Sequence, residues 1–188
     1  MENFEKQLPA EKKEKPPFLY HASSNRNIEK FEPRAKNLRD SKEGPVVFAT
    51  PDLALATTFL VSETNDSWTQ IGKLNGVPYM VIGNKEDFIK YDKGGSVYKL
   101  PSKSFTFDPH KGMGENEWVS RDSVTPLEKE DFKSALEAMI EKGVQVFFVD
   151  KETFHKISHD KNFIKIIEGL ESENKRRNKN VIEFKKEK

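Results

Sequence analysis

Short apolar runs and polar, turn-rich stretches succeed one another along the chain, and the runs follow two periods. Phe18-Leu19-Tyr20, Pro45 to Thr50, Val77 to Ile82 and Val144 to Val149 are brief, nearly continuous and rich in β-branched and aromatic residues, as buried strands are. Ser96 to Leu100 and Ser104 to Phe107 alternate like half-buried strands, and Trp118-Val119-Ser120 reads as another, ended by Val124-Thr125-Pro126. Leu53, Ala56, Phe59 and Leu60 recur at helical spacing and predict a helix over Pro51 to Val61, with Thr50 as N-cap and Asp52 complementing the positive end of the dipole. Phe132, Leu136, Met139 and Ile140 predict a second helix over Leu127 to Lys142, stopped by Gly143. Thr153 to His159 and Asn162 to Leu170 read as helices. Arg34 to Gly44 reads as an exposed loop, Ser62 to Gly76 as a polar, turn-rich stretch, and Asn84 to Lys90 as a short link.

Strands and helices do not alternate strictly. That order favours an α+β domain with antiparallel pairing over a doubly wound sheet. Met1 to Pro17 reads as a disordered leader: lysines and glutamates are balanced, apolar residues are few, and Pro16-Pro17 cannot continue a helix. A single domain is expected over residues 18–170. From residue 171 to 188 seven Lys/Arg stand against four Asp/Glu, which predicts a charged, solvated C-terminal tail.

Composition narrows the function. The 188 residues are 34% charged and carry a net charge of +1, so the chain as a whole makes no electrostatic case for nucleic acid or a membrane surface. Cysteine is absent, which excludes disulfides, thiol catalysis and cysteinyl metal sites. No apolar signal-type region opens the chain and no run has the length of a spanning helix, so the expected location is the cytoplasm, or a host cell into which the protein is delivered. Neither a P-loop nor a GxGxxG is present.

Two stretches carry candidate chemistry. Phe18-Leu19-Tyr20-His21-Ala22-Ser23 sets a histidine at the end of an apolar run, with two small residues after it that leave a ligand room to approach the backbone. A core histidine with internally satisfied nitrogens is the competing reading. The second stretch is Glu115-Asn116-Glu117-Trp118-Val119-Ser120, reached through a glycine-bearing segment, Asp108 to Gly114. His155 and His159 stand four apart, a spacing that suits zinc on a helix, but Lys156 occupies the place of a HExxH glutamate, and no metal is expected. Asp108 and His110 lack the nucleophile elbow of a hydrolase triad.

In order, a strand ending His-small-Ser, a strand ending Val-Phe-Ala-Thr before a helix with Ala-Thr-Thr-Phe, and Asn-Glu-Trp-Val-Ser resemble the ADP-ribosyltransferases. The branch shared by diphtheria toxin and the poly(ADP-ribose) polymerases is the nearest. The resemblance spans Phe18 to Ser120 and implies an ADP-ribosyltransferase-like split antiparallel β-sheet core with inserted helices. It implies that His21 holds the adenosine ribose of NAD, that Ala22 and Ser23 bind the nicotinamide carboxamide, and that Glu117 is the catalytic glutamate. Phe48, Thr50 and Phe59 would line the cofactor site. The tyrosines that sandwich nicotinamide in the family are not preserved: Val47 or Phe48, and then Phe59, take the nearest places, keeping a stacking face without the hydroxyl. Glu115 and Glu117 form a Glu-x-Glu, which the arginine-modifying branch uses with its first glutamate toward the target, so Glu115 is either acceptor-facing or a surface carboxylate.

Breaking the nicotinamide–ribose bond builds positive charge on the sugar, and a carboxylate beside that ring stabilises the transition state more than the ground state. The resemblance therefore implies an enzyme, of a toxin or effector type, that uses NAD as substrate and transfers ADP-ribose to an unidentified protein or nucleic-acid acceptor. A glycohydrolase of NAD, or a nucleotide- or protein-binding module of the same fold without turnover, is the alternative.

Overall fold

The computed structural model describes residues 14–35, 44–61, 68–177 and 181–183. Most of the predicted leader, the middle of the loop after Arg34 and the last five residues lie outside them.

The elements are β1 (Phe18–Ser23), β2 (Val47–Ala49), α1 (Leu53–Thr57) continuing as a 3₁₀ turn (Thr58–Leu60), β3 (Thr69–Leu74), β4 (Val77–Ile82), α2 (Lys85–Tyr91) and β5 (Gly95–Pro101). A second 3₁₀ turn (Gly114–Asn116), β6 (Trp118–Ser120), β7 (Glu128–Phe132), α3 (Ala135–Glu141), β8 (Gln145–Phe148), α4 (Lys151–His159), α5 (Phe163–Arg177) and β9 (Val181–Glu183) follow. The class is α+β, with three sheets, two of them wholly antiparallel, and five helices among the described residues. The four-stranded sheet β3-β4-β8-β9 is mixed, since β4 and β9 run parallel to β8.

Two sheets form the half of the molecule that bears the candidate residues. One has the order β1-β5-β7 and the other pairs β2 with β6, all antiparallel. They meet at one residue pair: Tyr20 and Thr50 exchange backbone hydrogen bonds of 2.7 and 2.9 Å. Beyond β6 the ladder gains one more bridge, Thr106 to Val119. The succession in space is thus Thr106, β6, β2, β1, β5, β7. One face packs Leu19, Tyr98 and Leu100 with Phe31, Phe105 and Trp118; the other packs Ala22 and Val97 against Ala56, Leu60 and Ala135.

The mixed sheet is covered on both faces, which explains its unbroken apolar runs. Met80, Ile82, Val146 and Phe148 pack with Phe88 and Met139, and Tyr79, Val81 and Phe147 pack with Ile157, Ile167 and Leu170.

Several boundaries differ from the sequence expectation. The helix predicted over Pro51 to Val61 begins later, because Asp52 rather than Thr50 caps it: Asp52 Oδ1 accepts the Leu55 N–H at 3.0 Å. The span predicted as helix from Leu127 is split. Glu128–Phe132 is an edge strand on β5, and the helix begins only at Ala135, where Ser134 caps it and the Asp92 carboxylate accepts the Ala135 and Leu136 N–H groups. The stretch read as turn-rich up to Gly76 contains β3, joined to β4 through Asn75 and Gly76, both at positive φ as a two-residue hairpin requires. Asn84 caps a helix, α2, where a link was expected. Ser104 to Phe107 is no strand beyond the single bridge at Thr106. Finally, the tail expected to be solvated from residue 171 carries the last turns of α5, and Glu171 is buried, bonded to Gln145 and Lys175. Those two partners hold its carboxyl below the usual range. No helix among the described residues is long and apolar enough to cross a membrane.

Candidate functional site

His21 lies where the two sheets part. Past the Tyr20–Thr50 pair, a continuing antiparallel ladder would offer the Phe48 carbonyl to the Ala22 N–H. Instead, the His21 ring turns toward that carbonyl and Nδ1–H donates to it at 2.6 Å, so the imidazole spans the split. Its ring packs on Phe31 at 4.6 Å between centroids. Burial, with a smaller contribution from Arg34, pushes the imidazole below its ordinary value, against the opposing pull of the Phe48 bond. The neutral tautomer follows: Nδ1 carries the proton and Nε2 is left as an acceptor.

The neighbours named from sequence fall nearby. Ala22 is buried against the α1 side, and Ser23 closes β1, its hydroxyl accepting the Asn25 N–H at 3.1 Å. Phe48 is half-buried on β2, and Thr50 is buried with its hydroxyl accepting the Asp52 N–H at 3.2 Å. Phe59 differs from these. It sits on the 3₁₀ turn after α1 with its ring exposed.

Glu117 precedes β6 in extended conformation, and carrying the β2–β6 register one step further sets it beside Thr50. The approach to it is a run of tight turns: Lys111, Gly114, Asn116 and Glu117 each donate their N–H to a carbonyl three residues back, at 2.9–3.2 Å. Gly112 and Gly114 adopt φ of +53° and +57°, which disfavours any side chain. The carboxylate of Glu117 lies over the Cα of Gly112, where a Cβ would overlap it. Trp118 turns the other way, into the core, while its indole N–H donates to the Glu115 carbonyl at 2.9 Å.

Beside this turn opens a cleft of about 530 Å³. Phe107 and Trp118, with ring centroids 4.8 Å apart, form an aromatic wall, Leu53 and Pro51 add apolar surface, and Glu14, Asp52, Lys73, Glu115 and Asn116 bring polar groups. Of the residues singled out from sequence, Glu115 lines this cleft. His21, Ala22, Ser23, Phe48, Thr50, Phe59 and Glu117 stand outside its lining. Sequence reading did not single out Lys73, Asp52 or Asn116 as a group. Asn116 stood there only within Asn-Glu-Trp-Val-Ser and Asp52 only at the helix start, and the fold is what brings them onto Lys73.

The remaining motifs are accounted for locally. His155 and His159 stack at 4.1 Å on α4, with His159 Nδ1–H donating to the His155 carbonyl. Asp108 accepts the His110 N–H in a turn of its own. The described residues hold no group of three or more His, Asp or Glu side chains arranged to bind a metal ion.

No family model, no curated protein and no solved structure matches this chain.

Proposed function

We propose that the chain is an NAD-dependent ADP-ribosyltransferase, with Glu117 as the catalytic carboxylate and His21 as the residue that orients the adenosine ribose. One observation carries this reading: the strand bearing His21 and the strand opened by Glu117 flank β2, in a sheet divided between β1 and β2 and joined there by a single residue pair. A divided antiparallel sheet is what the resemblance implies, and His21 and Phe48 lie at the division. The neutral imidazole held by Phe48 supports the role, because an unprotonated Nε2 accepts a ribose hydroxyl without adding charge.

In this reading, the bond between nicotinamide and the ribose anomeric carbon breaks and nicotinamide leaves with the electron pair. The Glu117 carboxylate stabilises the positive charge on the sugar, and the acceptor's nucleophile then bonds that carbon and gives up its proton. Water as the acceptor makes the same chemistry a glycohydrolase. A binding module without turnover is the second reading. It is favoured by the packing of the His21 ring on Phe31 and by the resting place of the Glu117 carboxylate over Gly112.

The test is incubation with NAD, with and without cell lysate, followed by measurement of free nicotinamide. Release that falls on the order of a hundredfold or more in Glu117→Gln, with NAD still bound, supports the enzyme. Label on a lysate component marks a transferase, and release without an acceptor marks a glycohydrolase. Equal release by the variant removes Glu117 from the chemistry, and binding without release establishes the module.

A further inference from the structure

Three segments meet on one ammonium group. Lys73, on β3 of the mixed sheet, reaches Asp52 Oδ2 at 2.6 Å and Asn116 Oδ1 at 2.7 Å. Asp52 uses its other oxygen to cap α1. Asn116 is the last residue of the 3₁₀ turn and directly precedes Glu117. The Lys73 and Asp52 side chains are only 26% and 23% exposed, so the pair is partly shielded from the water and salt that cancel most surface ion pairs.

We infer that Lys73 is a positioning residue, which ties the Glu117 turn to the start of α1; this rests on the reading of Glu117 as catalytic. The turn's own hydrogen bonds span three residues each and the β2–β6 ladder holds its C-terminal end, but neither sets its distance from the start of α1. Two left-handed glycines in the approach add no stiffness of their own. A cation shared between a helix cap and an amide side chain adds a direct cross-link from the turn to the start of α1, and it is delivered by a strand of the other sheet. The β3–β4 hairpin thereby serves the site without lining the split where His21 sits. A 1 Å drift of a catalytic group costs rate steeply, which makes such a tie consequential.

The indole N–H of Trp118 reports the turn independently of activity, because it donates to Glu115 within it. The chain has two tryptophans, so a Trp68→Phe background leaves one indole resonance in a ¹H–¹⁵N spectrum. In that background, Lys73→Met and Asn116→Ala, which cut the same contact from either end, are expected to move the resonance. They should also lower kcat for nicotinamide release by about tenfold while KM stays within about twofold. Lys73→Arg, which keeps a cation with several donors, should restore most of both. An unmoved indole in the folded variants, or a moved one with unchanged kcat, overturns the inference. Should Lys73→Met fail to fold, Asn116→Ala decides alone. Should the parent release no nicotinamide, the enzymatic reading fails, and the resonance by itself still decides whether Lys73 holds the turn.

Discussion

At the scale of single residues, the site depends on two positions where an ordinary side chain would not serve. His21 occupies the place where a strand ladder would have continued, and its Nδ1–H takes the carbonyl that a backbone amide would otherwise satisfy. Gly112 is the other. Its φ of +53° disfavours a Cβ, and a Cβ there would also meet the Glu117 carboxylate. Gly112→Ala is therefore expected to cost about 1 kcal/mol in urea unfolding, from the left-handed backbone alone. If the proposed transferase activity holds, displacement of the carboxylate should lower nicotinamide release by roughly tenfold, well beyond what that stability loss explains. A variant with the parent's unfolding midpoint and full release would show that the position tolerates a side chain.

At the scale of elements, the starts of helices decide where the chain turns from strand to helix. The Asp92 carboxylate, just past α2, accepts from Gly94 N–H at 3.0 Å, Ser134 hydroxyl at 2.6 Å, Ala135 N–H at 2.6 Å and Leu136 N–H at 3.1 Å. One side chain thus fastens the end of α2 to the beginning of α3 and sets the break between β7 and α3. Asp92→Asn replaces one acceptor oxygen by an amide donor facing N–H groups, and a loss of about 1–3 kcal/mol is expected in chemical denaturation. An unchanged midpoint would mean that Ser134 alone suffices as the cap. The apolar spacing of Phe132, Leu136, Met139 and Ile140 was visible in the chain. The break was not, because Glu128 to Asp131 pair with β5 through backbone groups, whatever their side chains prefer. Their charges suit a sheet edge that must not recruit another strand.

At the scale of the whole molecule, pH acts through His21. Its folded pKa lies below the ordinary 6.5, so between those two values the unfolded chain binds more protons than the folded one. Stability from this group is complete above the ordinary value and is lost as pH falls through it toward the folded value. The urea midpoint should fall between about pH 7.5 and pH 5.5, and His21→Gln, which keeps a donor for Phe48 and cannot titrate, should reduce that fall. Identical slopes for parent and variant would sink the assignment. The same molecule divides its burial between two units, a split sheet that carries the candidate residues and a mixed sheet covered on both faces. Lys73 crosses from the second to the first.

The amino-acid sequence alone located the most apolar buried strands, since nearly continuous apolar runs such as Val77 to Ile82 and Val144 to Val149 have no other stable place than a covered sheet. It also marked turns up to Gly76 and a glycine-bearing approach to Glu117, because positive φ selects residue types locally. What the tertiary structure decided is pairing: that β4 lies parallel to β8, that β1 and β2 touch at one pair and then part, and that Lys73 meets Asp52 and Asn116. Those contacts join residues tens of positions apart through backbone groups common to every residue, or through charges that read as solvated surface until the fold encloses them.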